Sequence, residues 1–285
     1  MYVRGVPEPA SYRRYVALGD SQTEGLNDGD DATGLRGWAD RFAEALATTT
    51  SPGMRYANLA LRGCRARDVR HGQLDAALAL EPDLASVVVG MNDLLRHDYD
   101  ADATVRDLEE TFAALRATGC RVLTMTFPDI GRMLPVMAWL RPREAELNRR
   151  LVDAAARHEV AVLDLFPLAM CGDPALWSHD RIHGSPEGHA RIAAGMAELL
   201  GLPGSDGSWR TFVPSDTGLV DAVRRDAWWA ATFVVPFLTR QLLGRGPGAG
   251  RSAKRPDLMP VLARSSTRRG PSATGPSPRR SPARP

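Results

Sequence analysis

The sequence predicts an α/β fold, a parallel sheet with helices on both faces. Two observations carry this. Short apolar runs alternate with longer stretches of helical periodicity over about 200 residues, the pattern of repeated strand–helix units. Two of the runs, 84–89 and 122–127, are almost continuously apolar, as expected of strands covered on both faces.

The first strand, 15–18, stops at Gly19-Asp20-Ser21. Trp38, Phe42, Ala45 and Leu46 then repeat at the spacing of a helix face. The second strand, 56–60, ends in Leu61-Arg62-Gly63, and the third, 84–89, follows Pro82-Asp83 and ends in Gly90-Met91-Asn92-Asp93. Leu108, Phe112 and Leu115 mark a helix before the fourth strand, 122–127. A third helix, 144–158, precedes the fifth strand, 160–165. The last helix, 186–200, has Ser185 as N-cap, Pro186 at its first position and Gly201 after its end. The chain divides into three segments. Residues 1–205 form the main domain, 206–244 a helical extension packed on it, and 245–285 a basic, Pro/Ser/Arg-rich tail expected to be disordered.

Composition narrows the class further. The chain has 285 residues, 44% hydrophobic and 25% charged, enough to bury a full-sized core and too apolar for a disordered protein. No run of 18 apolar residues occurs, and no long apolar stretch follows the basic residues at the start, which argues against a spanning helix and a signal peptide. Cys64, Cys120 and Cys171 are far apart and without metal-like spacing, so reduced buried thiols and a cytoplasmic location are expected. The net charge of +2 hides an acidic body and a tail in which Asp257 is the one acid among ten bases. Residues 219–243 read as a helix carrying Trp228, Trp229, Phe233 and Phe237, kinked at Pro236. Packing on the body is the expected role; a peripheral contact with anionic membrane, aided by the tail, is the alternative.

In open parallel sheets ligands bind at the carboxyl ends of the strands, so residues there are the candidates. Ser21 sits on a tight strand-to-helix turn, which suits a nucleophile and equally an N-cap. Gly63 can bring its N–H against a ligand oxygen, and Asn92 can donate from its amide; each is also an ordinary turn residue. Asp180 and His183, three apart, can meet as carboxylate and imidazole. His71, His97, His158, His179 and His189 lack such a setting. The fingerprints of dinucleotide and P-loop binding are missing from the first turn. The acidic stretch Asn27-Asp28-Gly29-Asp30-Asp31 lacks the distal Glu of a calcium loop and reads as a solvated loop.

Taken together and in order, Gly19-Asp20-Ser21, Gly63, Gly90-x-Asn92-Asp93 and Asp180-x-x-His183 resemble the blocks of the SGNH hydrolases, the GDSL-type esterases and lipases. The resemblance covers about residues 14–200. It implies a flavodoxin-like three-layer α/β/α sandwich with a central parallel five-stranded sheet, and a serine hydrolase acting on esters. It assigns Ser21, Asp180 and His183 as catalytic and the N–H groups of Ser21 and Gly63 with the Asn92 side chain as the oxyanion hole. No metal or cofactor is expected. The expected partner is a small-molecule ester or lipid, with no specific nucleic acid. Two departures stand out: Gln22 occupies a place where many members carry Leu, and the chain continues past residue 201.

For the substrate pocket the sequence offers Gln22 at its edge and Met133, Met137 and Trp139 in an apolar, loop-like stretch, 130–140. That stretch favours acyl esters or lysophospholipids over sugar acetates. A thioesterase, a carbohydrate O-deacetylase and a non-catalytic binding protein of the same fold are the alternatives.

Overall fold

A computed structural model describes residues 10–212, 229 and 250–261. The five strands and four helices read from the sequence recur in that order, with further short elements between them. Strand β1 (Arg14–Gly19) leads into a single helical turn, α1 (Ser21–Glu24), a small hairpin of β2 (Gly29–Asp30) and β3 (Gly34–Leu35), and helix α2 (Trp38–Thr49). Next come β4 (Arg55–Asn58) and a broken helix, α3 (Ala66–Asp68) and α4 (Leu74–Ala79), joined by a π-helical turn at Val69–Gln73. β5 (Leu84–Val88), α5 (Met91–Leu94), α6 (Ala101–Ala117) and β6 (Arg121–Met125) follow. Then come α7 (Ile130–Met133), α8 (Arg141–Arg157), β7 (Ala161–Leu163), α9 (Pro186–Leu199) and β8 (Arg255–Pro260).

The sheet has the order β7-β6-β5-β1-β4-β8. Its first five strands in chain order are parallel and lie second-first-third-fourth-fifth, the doubly wound order of flavodoxin-like folds. The switch point falls between β1 and β5. Their register pairs Leu18 with Val87 and Gly19 with Val88, so the chain leaves both strands side by side. Ser21 and Asn92 follow those exits.

Alternation along the strands sorts the core into two faces. Val16, Leu18, Val87 and Val122 pack under α6 and α8 with Leu108, Phe112, Leu147 and Leu151. Tyr15, Ala17, Val88 and Leu123 pack under α2 and α9 with Trp38, Phe42, Leu46 and Met196. Truncating Phe42 or Phe112, both fully buried, removes about 3–5 kcal/mol. Ser185 caps α9 as expected, accepting the Gly188 N–H at 3.1 Å, and Asp100 caps α6 by accepting from Ala103 at 3.0 Å.

The sixth strand departs from the expectation of an all-parallel five-stranded sheet and of one disordered tail from residue 245. β8 pairs antiparallel with β4, Tyr56 opposite Met259. The physical reason is the open edge of β4, which would otherwise expose a row of unpaired backbone groups. Pro256 and Pro260 are tolerated because β8 is itself an edge strand. Lys254 anchors it on Asp40 at 2.6 Å, and the Arg255 guanidinium donates to the Tyr56 carbonyl at 2.7 Å. The expected helix at 219–243, Trp229 apart, and the tail beyond residue 261 lie outside the described residues. Among the described residues no helix is long and apolar enough to cross a membrane.

Candidate active site

The turn after β1 requires glycine first. Gly19 has φ +154°, and a Cβ there would lie 2.3 Å from the Val88 carbonyl oxygen. Asp20 is then the N-cap of α1, accepting the Gln22 N–H at 3.1 Å. Ser21 is the first helical residue rather than the cap, so its N–H has no partner within the helix. The end of β1 is braced by Gln73 from the π-helical turn, whose amide accepts from Gly19 N at 2.9 Å and donates to Gly19 O at 2.8 Å.

His183 arrives from the turn before α9. Its Nε2 lies 2.7 Å from Ser21 Oγ, and its Nδ1 lies 2.6 Å from Asp180 Oδ2. Asp180 is 3% exposed and held from several sides. Asn27 donates to Oδ2 at 2.6 Å and Ser178 to Oδ1 at 2.7 Å. The N–H groups of Ile182 and His183 each reach Oδ1 at 3.0 Å. Burial opposes the charge on this carboxyl, but the hydrogen bond and charge of His183 and the two N–H donors outweigh it and hold Asp180 well below the usual carboxylate range. Trp229 donates from Nε1 to the Asp180 carbonyl at 2.7 Å, and the Arg181 guanidinium lies over the Trp229 ring at 5.4 Å.

The glycine block is a tight loop. Gly63 has φ +85°, Leu61 N–H donates to Gly19 O at 3.2 Å, and Arg62 N–H donates to Glu24 Oε2 at 2.9 Å. Asn92, on α5, donates from Nδ2 to Cys64 O at 3.0 Å and toward Asp20 Oδ2 at 3.2 Å. Burial pushes the Asp20 carboxyl up to about 7, and it does the same to Asp93, which accepts the Ala66 N–H at 3.0 Å. Three strand ends and the turn before α9 thus bring Ser21, Gly63, Asn92, Asp180 and His183 to one end of the sheet.

The expected pocket residues fare differently. Gln22 braces the His183 turn, donating from Nε2 to Ile182 O at 2.6 Å and accepting from Gly184 N at 3.4 Å. The stretch expected as a loop is ordered as α7, capped by Asp129, and a 3-10 turn at Pro135–Leu140. Met137 packs against the core, Met133 is half-buried, and Trp139 and Val136 stand out at 64% and 66% exposure. The acids of 27–31 serve elsewhere: Asp28 pairs with Arg41 at 2.6 Å and Asp31 with Arg62 at 2.9 Å. His179 is exposed, whereas His189 is fully buried and accepts the Trp38 N–H on Nδ1 at 3.2 Å.

Sequence reasoning missed Asn27, Ser178, Gln73 and Trp229. Asn27, at φ +71°, had a usable signal, because Asn is among the few residues that adopt that conformation readily. Gln73 and Trp229 had none.

Residues 17–191 match the GDSL-like lipase/acylhydrolase family. Solved structures similar to the chain include a mutant of Axe2 described as an acetyl-xylooligosaccharide esterase, with 19% identity over 70% of this chain and 99% of that one, at TM-score 0.59. Axe2 itself, an acetylxylan esterase from Geobacillus stearothermophilus, shares 19% identity over 68% and 96%, at TM-score 0.56. LAE5, an alpha/beta hydrolase enzyme from the metagenome of Lake Arreo, Spain, shares 22% over 66% and 95%, at TM-score 0.54. At these identities the likeness is one of fold. No curated protein matches the chain.

Proposed function

We propose that this chain, which belongs to the GDSL-like lipase/acylhydrolase family and is thereby a hydrolase of ester bonds, cleaves small carboxylic esters with Ser21 as nucleophile. One observation carries the reading: the unbroken contact from Asp180 through His183 to Ser21 Oγ, at 2.6 and 2.7 Å. His183 Nε2 takes the Ser21 proton as Oγ attacks the acyl carbon. Asp180 keeps Nδ1 protonated and stabilises the imidazolium that forms. The N–H groups of Ser21 and Gly63 and the Asn92 amide receive the oxyanion. The Asn92 proton aimed at Asp20 makes the longer of its two bonds, 3.2 Å, and is the one that swings to substrate. Collapse expels the alcohol, which takes its proton from His183, and leaves an acyl-Ser21 ester. Water, deprotonated by His183, then releases the acid.

The apolar stretch after β6, with Val136 and Trp139 exposed, is the surface we assign to the acyl group, and it suits a carboxylesterase or a lysophospholipase-like enzyme. A second reading, deacetylation of a carbohydrate, is favoured by the acetylxylan esterases among its fold neighbours. The unpaired Cys64, Cys120 and Cys171 suit a reducing compartment such as the cytoplasm.

Hydrolysis of p-nitrophenyl esters from acetate to palmitate by wild type and Ser21→Ala tests both. The expected result is turnover by wild type and none by Ser21→Ala. A preference for long chains supports the apolar surface, and a preference for acetate supports the second reading. A fully active Ser21→Ala refutes the mechanism.

A further inference from the structure

Between the nucleophile and the glycine loop lies an ion pair to which the reaction as written gives no part. Glu24 closes the single turn of α1, with its side chain 6% exposed against an Arg62 side chain 11% exposed. The guanidinium grips it with a fork, Nε 3.0 Å from Oε2 and Nη2 2.7 Å from Oε1. The backbone N–H of Arg62 reaches the same carboxylate, 2.9 Å from Oε2. This third bond is the informative one, because Arg62 directly precedes Gly63, whose N–H is an oxyanion donor in the reading above.

We propose that Glu24 is a positioning residue for ester hydrolysis: by holding the Arg62 backbone it fixes the Gly63 peptide relative to Ser21. The inference rests on the proposed roles of Ser21 and Gly63. A turn as short as α1 has little stability of its own, and a glycine loop has less. The loop is tied at Leu61 to Gly19 O and at Cys64 O to the Asn92 amide. Glu24 supplies the tie between them, next to the donor itself. A forked guanidinium–carboxylate contact fixes direction as well as distance. An oxyanion donor acts only where it meets the developing charge at about 2.7–3.1 Å, so a loop free to drift loses rate without losing the fold. Arg62 also touches Asp31, but from Nη2 at the exposed edge of the pair, 2.9 Å away.

The geometry ranks the variants. Glu24→Ala removes the acceptor of the Arg62 N–H and lowers kcat about 30- to 100-fold, with KM within about threefold. Arg62→Ala keeps that backbone bond and loses less. Glu24→Gln keeps an acceptor without the charge and recovers much of the rate, settling about three- to tenfold below wild type. Asp31→Ala stays within about twofold, since it touches only the outer edge of Arg62. The measurements are kcat and KM on a p-nitrophenyl ester, with a melting curve for each variant. A folded Glu24→Ala at wild-type kcat, a loss confined to KM, or an equal loss in Asp31→Ala overturns the proposal. Should Glu24→Ala not fold, Glu24→Gln and Arg62→Ala decide: wild-type kcat in either overturns it, and a kcat loss at unchanged KM supports it. Ser21→Ala separates the two readings. If it remains active, the serine mechanism fails; if it is dead while Glu24→Ala is unslowed, only this inference fails.

Discussion

His189 makes the protein less stable in mild acid, by an amount the structure sets. The ring is fully buried and accepts the Trp38 N–H on Nδ1. Burial pushes its pKa from 6.5 down to about 4, only partly opposed by the charge of Asp28, which is itself held by Arg41. Between those values the unfolded chain binds a proton that the folded one refuses. Stability from this group is therefore fully present above pH 6.5 and is lost as pH falls toward 4. Between pH 7 and pH 4.5 the loss comes to about 2 kcal/mol, a large share of ordinary domain stability. His189→Gln retains an acceptor for Trp38 and cannot ionise. Urea unfolding of both proteins at the two pH values isolates the effect, because Asp20, Asp93 and Glu144, whose raised pKa values move stability the other way, are common to both. The wild type should lose about 2 kcal/mol relative to the variant at the lower pH. A difference constant to within about 0.5 kcal/mol at both refutes a neutral buried His189.

Three further predictions concern other parts of the structure. Asn92→Ala should lower kcat about 100-fold with KM little changed, and an effect on KM alone removes it from the oxyanion hole. Trp229→Phe keeps an aromatic ring but deletes the 2.7 Å bond to the Asp180 carbonyl, so kcat should fall roughly fivefold; wild-type kinetics and melting temperature would show that the bond does nothing for the turn that carries Asp180 and His183. Lys254→Ala leaves Asp40 without its 2.6 Å partner and loosens β8, costing about 2 kcal/mol and lowering the melting temperature by about 4–8 °C; a shift below about 1 °C would refute the anchoring role.

The parallel sheet and its helices were legible because their signals are local. The strands at 84–89 and 122–127 announce burial on both faces by their own composition, and Ser185-Pro186 announces the start of α9. β8 was not legible. Its prolines and basic neighbours carry no alternation, and it forms only because β4 offers an open edge. The apolar stretch 130–140 read as a loop, since neither Asp129 as a cap nor Pro135 as the start of a 3-10 turn is distinctive in isolation.

At the candidate site the division is sharper. By itself the sequence determined the fold class and the order of the strands along the chain, and it picked out Ser21, Gly63, Asn92, Asp180 and His183 as candidates, because turn residues and short motifs are properties of neighbouring positions. Only the tertiary structure decided what surrounds them. It joined Asn27 to Asp180 across 153 positions and Gln73 to Gly19 across 54, bonded Gln22 to the His183 turn, and set Glu24 against Arg62. It also set His183 against Ser21 and sealed His189 in the core, held neutral. Such pairings arise when the sheet brings distant strand ends together, and burial then fixes which groups carry charge; neither is encoded in any short stretch of residues.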